Sequence, residues 1–183
     1  MSGQVERREP VLAAFLVSLG IGAWLHWSIT DPSFDQTEAQ SEWGHVLAFS
    51  ALVLALAGGS AALGRALSGA RSVRRLTMLL IAAGALAAVT NVVEDGLGVE
   101  KAFVVFALLT GVQLLALIGL ATALGLLVRG ARRLLAVAPL ASAIGVVTYV
   151  HAGGPILLCT WCAAAVYLLV TPQSAVGASG HGE

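Results

Sequence analysis

Residues 102–128, AFVVFALLTGVQLLALIGLATALGLLV, run for 27 positions without an Asp, Glu, Lys or Arg. As a helix this stretch is roughly 40 Å long, beyond the roughly 30 Å of a bilayer's hydrocarbon core. A helix on the surface of a soluble domain needs a polar face, and this stretch has none. It therefore reads as a transmembrane helix that tilts or projects beyond the bilayer.

Outward from it lie five further stretches of the same kind: Val11 to Ile29, Val46 to Gly64, Leu76 to Val93, Leu134 to Val150 and Pro155 to Thr171. None contains a charged side chain, each of which would cost about 2.5 to 3.5 kcal/mol at mid-bilayer. The whole 183-residue chain agrees, at 58% hydrophobic, 11% charged and mean hydropathy +0.89. A soluble domain carries about 25% charged residues, and this chain lacks the polar side chains to cover a wet surface. The expected fold is all-α: a polytopic integral membrane protein, a compact bundle of six transmembrane helices. Residues 1–10 form a cytoplasmic N-terminus, residues 11–172 the single membrane domain, and residues 173–183, rich in Ser and Gly and carrying His181, a disordered cytoplasmic tail. The long first stretch shows no small-x-small cleavage site and reads as a retained helix rather than a signal peptide.

Proline placement follows the same division. Pro10 and Pro155 start helices and Pro172 follows one, whereas Pro139 lies inside the fifth stretch and predicts a kink. Ala55 with Gly59, Ala121 with Gly125 and Ala141 with Gly145 are small residues four apart, the spacing that lets membrane helices approach closely. Trp24, Trp27, Trp43 and Trp161 fall near the outer boundary, where indole rings settle among headgroups.

Nine of the ten basic residues occupy alternate connecting segments: Arg7 and Arg8; Arg65, Arg71, Arg74 and Arg75; Arg129, Arg132 and Arg133. The positive-inside rule assigns these to the cytoplasm, with both termini. The opposite side holds Asp31, Asp35, Glu38, Glu42, Glu94, Asp95 and Glu100 against the single Lys101. The zero formal charge is thus a cancellation across a membrane. The arginine clusters favour anionic lipids, and the acidic face attracts cations. No segment concentrates enough Lys and Arg to neutralise a nucleic acid's phosphates, and no P-loop or dinucleotide pattern appears. With such short loops, the expected location is the plasma membrane of a prokaryote.

Three groups of residues could carry chemistry. His26, Glu42, His45, Glu94, Asp95 and His151 lie at the outer ends of four helices. Mixed nitrogen and oxygen donors of this kind suit a divalent metal at the outer face, Zn, Cu or Fe. Their spacing matches no established metal motif, and polar groups at helix ends also serve simply to meet water and headgroups. The turn from Glu94 to Glu100 offers oxygen ligands without the full ladder of a calcium loop. Asn91 and Gln113 are intramembrane polar residues. Gln113, near mid-span, needs a partner or a wet cavity, and Ser142, Thr148 and Tyr149 are candidates to bond it.

Cys159 and Cys162 form a C-x-x-C early in the sixth helix, where i, i+3 spacing brings two sulfurs together and a quinone could take their electrons. Equally, two cysteines pack well as small apolar side chains. The stretch Gly153 to Val166 resembles the redox helix of the vitamin K epoxide reductase family, whose C-x-x-C also follows a short outer loop. The resemblance implies that Cys159 and Cys162 are a redox-active pair. That family relays electrons through a second cysteine pair, and this chain has no other cysteine, so a complete relay requires a partner thiol.

The function expected from these residues is that of a small multi-pass membrane protein without a catalytic motif: a binding, transport or accessory subunit. The alternatives are a membrane thiol or quinone oxidoreductase using the cysteine pair, and a metal-dependent intramembrane hydrolase built on the histidines.

Overall fold

The computed structural model describes residues 43–148 and 154–170, and every element in them is helical. Helix α1 spans Trp43–Leu67, α2 Arg71–Asn91, α3 Ala102–Leu127, α4 Val137–Val147 and α5 Gly154–Val170. A π-helical turn, Val92–Gly96, ends α2, and a 3-10 helix, Gly130–Ala136, leads into α4. Among the described residues three helical segments are long and apolar enough to cross a membrane: Phe49–Leu67, Arg71–Gly96 and Ala102–Leu127. These are the second, third and fourth of the expected spans. The first lies outside the described residues, the fifth is too short in its α-helical part, and the sixth contributes the shorter apolar helix Pro155–Val166.

Short connections make α1, α2 and α3 antiparallel neighbours. Only Ser68, Gly69 and Ala70 separate α1 from α2, and the turn after the π-helical segment returns the chain into α3. Gly98 in that turn has φ of 69°, and Gly130 after α3 has the same value, a left-handed conformation that favours glycine. At the contact of the three helices sit Ala57, Val73, Leu80, Ala116, Leu117, Leu120 and Leu124. A second apolar cluster joins Leu52, Leu56 and Leu63 of α1 to Leu135, Ala138 and, from α5, Leu157, Trp161 and Ala164.

Much of the outer surface is apolar. On α3 the side chains of Phe103, Val104, Leu108, Leu115 and Leu126 are all exposed, and only 22% of its most apolar window is buried. In water a patch of this size would drive aggregation, whereas lipid tails cover it at no cost.

The structure revises three details of the sequence reading. Pro139 does not kink a long helix. It sits in the first turn of α4, directly after the 3-10 segment, where its missing N–H has no acceptor within α4 to lose. Trp161 is not an interfacial anchor: it is fully buried, and its indole Nε1 donates to Ser142 Oγ at 3.1 Å. Trp43 does lie half exposed at the end of the bundle, its ring against Gly96. Among the small-residue pairs, Ala141 and Gly145 face a neighbour, because a Cβ on Gly145 would come within 2.5 Å of Leu157 Cγ. Gly125 faces open space. A close approach between α1 and α2 lies instead at Gly84, where a Cβ would meet Ala57 Cβ at 2.7 Å.

Candidate functional site

Because α1, α2 and α3 alternate in direction, their charges separate. Arg65, Arg71, Arg74 and Arg75 flank the α1–α2 connection, and Arg129, Arg132 and Arg133 follow α3 at that same end of the bundle. Glu94, Asp95 and Glu100, the only carboxylates among the described residues, lie with Lys101 at the opposite end.

At the acidic end, α2 widens into the π-helical turn that carries Glu94 and Asp95. Leu97 N–H reaches back to the Val92 carbonyl at 3.1 Å and Val99 N–H to the Val93 carbonyl at 3.2 Å. Such turns are frequent at functional sites because they re-aim the side chains they contain. Here they open a shallow recess of about 390 Å³ lined by Glu94, Asp95, Gly98, Glu100 and Phe103. Glu94 is half buried, and its Oε2 has no hydrogen-bond partner among the described residues. Neighbouring carboxylates give the recess a negative potential suited to cations.

One turn deeper, Asn91 is buried between α2 and α1. Its Nδ2 donates to the Val46 carbonyl at 3.2 Å and to Ser50 Oγ at 3.1 Å, and Ser50 passes a hydrogen bond on to the Ala88 carbonyl at 3.3 Å. Deeper again, Gln113 of α3 is 2% exposed and its Nε2 donates to the Val53 carbonyl of α1 at 3.2 Å. Its partner among the described residues is thus a backbone carbonyl of α1; Ser142 bonds Ala138 and Trp161, Thr148 bonds Ile144 of its own helix, and Tyr149 lies outside the described residues. The Gln113 Oε1 is buried without a partner among the described residues, as are Thr110 Oγ1 on the preceding turn and Ser60 Oγ on α1. Thr90, Thr122, Thr148 and Thr160 all return their hydroxyl to a carbonyl of their own helix, and Thr110 does not. Buried polar groups in lipid-embedded helices are costly when unpaired, so the bundle centre retains capacity to accept hydrogen bonds.

Of the six residues expected at a metal, Glu94 and Asp95 fall together in the π-helical turn. His26, Glu42 and His151 lie outside the described residues, and so does the side chain of His45, whose backbone belongs to the first turn of α1. Among the described residues no three His, Cys, Asp or Glu side chains share reach of one ion. Cys159 is exposed on α5, Cys162 is half buried, and both are free thiols.

Ser50, Ser60 and Gly84 were missed by sequence reasoning. The only local signal for Ser50 was a hydroxyl inside an apolar run, and nothing marked its pairing with Asn91 across the helix contact. No family model, curated protein or solved structure matches this chain. The likeness of Gly153 to Val166 to the vitamin K epoxide reductase redox helix therefore stands on those residues alone.

Proposed function

We propose that this chain is a multi-pass protein of the cell membrane, with six transmembrane helices and both termini in the cytoplasm. It acts as a binding, transport or accessory subunit whose acidic outer end gathers cations. The observation that supports this reading is the separation of charge along the described part of the bundle: among the described residues, seven arginines lie at one end and three carboxylates with a recess at the other. The positive-inside rule turns that separation into an orientation.

Reporter fusions test the orientation. A phosphatase active only outside the cytoplasm, inserted at Gly98, is expected to be active, and the same reporter after residue 183 inactive; the reverse pattern refutes the topology. For the cation, adding Zn²⁺, Cu²⁺ or Fe²⁺ to the purified protein should raise its unfolding temperature by mass action. The Glu94→Gln/Asp95→Asn variant should lose that rise, and no rise in the unmodified protein removes the metal reading.

The accessible, free Cys159 and Cys162 support a second reading, a thiol oxidoreductase. In it the two thiols close to a disulfide and give up two electrons and two protons to a quinone. Trapping free thiols in intact membranes should then show a fraction oxidised that rises when quinone is supplied. Thiols that stay reduced throughout exclude it.

A further inference from the structure

The end of the bundle opposite the carboxylates holds a second recess, of about 460 Å³, lined by Arg65, Ser68, Gly69, Arg74 and Met78. Arg65 lies in the last turn of α1 and Arg74 in the first turn of α2, so the three-residue connection sets two guanidinium groups on either side of one opening. Both are exposed, and every carboxylate among the described residues is at the far end of the bundle. The Ala70 N–H donates to Ser68 Oγ at 3.3 Å, which leaves the Ser68 hydroxyl proton available to a ligand. Ala70 gives α2 no side-chain cap, so the positive end of the helix dipole adds to the same field.

The recess is also two-faced. Met78 lies one turn further along α2 than Arg74, is 59% exposed, and sits beside exposed Leu79 and Ile81 on the way into the apolar belt. A site that presents guanidinium and hydroxyl donors at one edge and a flexible apolar wall at the other matches an amphiphile with a phosphate head. Arginine forks bind phosphate oxygens in pairs, and a thioether side chain adapts to an acyl chain.

We infer that the recess between Arg65 and Arg74 is a binding site for one anionic phospholipid, with its phosphodiester held by Arg65, Arg74 and Ser68 and its acyl chain lying along Met78. The inference deepens the membrane reading above and rests on it. It names one lipid site where charge alone would predict only a diffuse attraction shared by the seven arginines of the described residues.

The test uses the full chain in lipid nanodiscs of phosphatidylcholine with and without phosphatidylglycerol, with bound lipid counted by native mass spectrometry after release. One phosphatidylglycerol is expected to be retained. Arg65→Gln/Arg74→Gln should weaken retention by at least about 10-fold, as loss of charge-assisted hydrogen bonds to a phosphate predicts. Arg132→Gln/Arg133→Gln removes the same charge and should leave retention nearly unchanged, and Met78→Asn should weaken it without altering charge. Equal losses from the two arginine pairs would overturn the site in favour of diffuse attraction. Displacement of the lipid by inorganic phosphate at matched concentration would overturn the lipid and assign the recess to a soluble phosphate. Both leaflets of a nanodisc carry the same lipid, so these results do not depend on which end faces the cytoplasm. A wrong orientation shows only in the reporter fusions, and failure to span a membrane shows as protein that does not enter the discs.

Discussion

Asn91 and Gln113 are both carboxamides, both 2% exposed, and both reach across a helix contact to a backbone carbonyl of α1. Asn91 spends both its donors, on the Val46 carbonyl and on Ser50, and the Ser50 hydroxyl relays to Ala88. Among the described residues Gln113 makes one hydrogen bond, to the Val53 carbonyl, and Oε1 finds no partner. The same functional group thus serves as glue in one place and as an open acceptor in another. The difference lies in the neighbours: opposite Asn91 stands a serine, whereas around Gln113 stand Gly84 and Ala57, which have no polar side chain to offer. A satisfied network fixes the helix contact, and a half-satisfied one reserves capacity for water or a ligand at the cost of some stability.

The largest expected effect comes from breaking the frame that holds both amides. Gly84→Val places a branched side chain where even a Cβ would lie 2.7 Å from Ala57 Cβ and 3.5 Å from Gln113 Nε2. Because Ala57 Cβ is fixed to its backbone, α1 and α2 must separate, with an expected loss of about 3 kcal/mol of unfolding free energy, the upper range for overpacking. Denaturation in mixed micelles measures it, and a loss under about 0.5 kcal/mol would show that the contact is not tight.

Asn91→Leu should come next, at about 1 to 2 kcal/mol for two buried interhelical hydrogen bonds. Ser50 keeps its bond to Ala88 in that variant, so the loss measures the amide alone. The smallest effect belongs to Gln113→Leu. It gives up one hydrogen bond and also removes an unpartnered acceptor, so the expected change is within about 0.5 kcal/mol of zero, of either sign. If Gln113→Leu costs as much as Asn91→Leu, Oε1 has a partner in the membrane and the contrast fails. Retention of stability with loss of function would sharpen it instead, assigning Gln113 to a ligand.

How legible each feature was follows from whether its cause is local. The membrane-crossing segments were readable because apolar length and absence of charge are properties of a single stretch, set by transfer into lipid. Arg65 through Arg75 and Glu94 through Glu100 could likewise be sorted to opposite ends by counting crossings. Trp161 was misplaced as an anchor for the converse reason. Helix α5 is apolar on all sides, so nothing within it says which face meets α4, and only the Ser142 hydroxyl across the contact explains why the indole is buried. Gly84 escaped notice among many small residues because its importance depends on Ala57 of another helix.

The amino-acid sequence by itself determined the helical class, the approximate extent of the helices long and apolar enough to cross a membrane within the described residues, and the charge difference between the two sets of connections. These follow from the free energy of moving each residue between water and hydrocarbon, which neighbours on other helices barely alter. Tertiary structure alone decided which polar groups found partners, that both amide donors of Asn91 are engaged while Gln113 Oε1 has no partner among the described residues, and that Arg65 and Arg74 flank one recess with Met78. Hydrogen bonds and packing join residues tens of positions apart, and in lipid, where apolar faces are equivalent, that choice is made only when the helices meet.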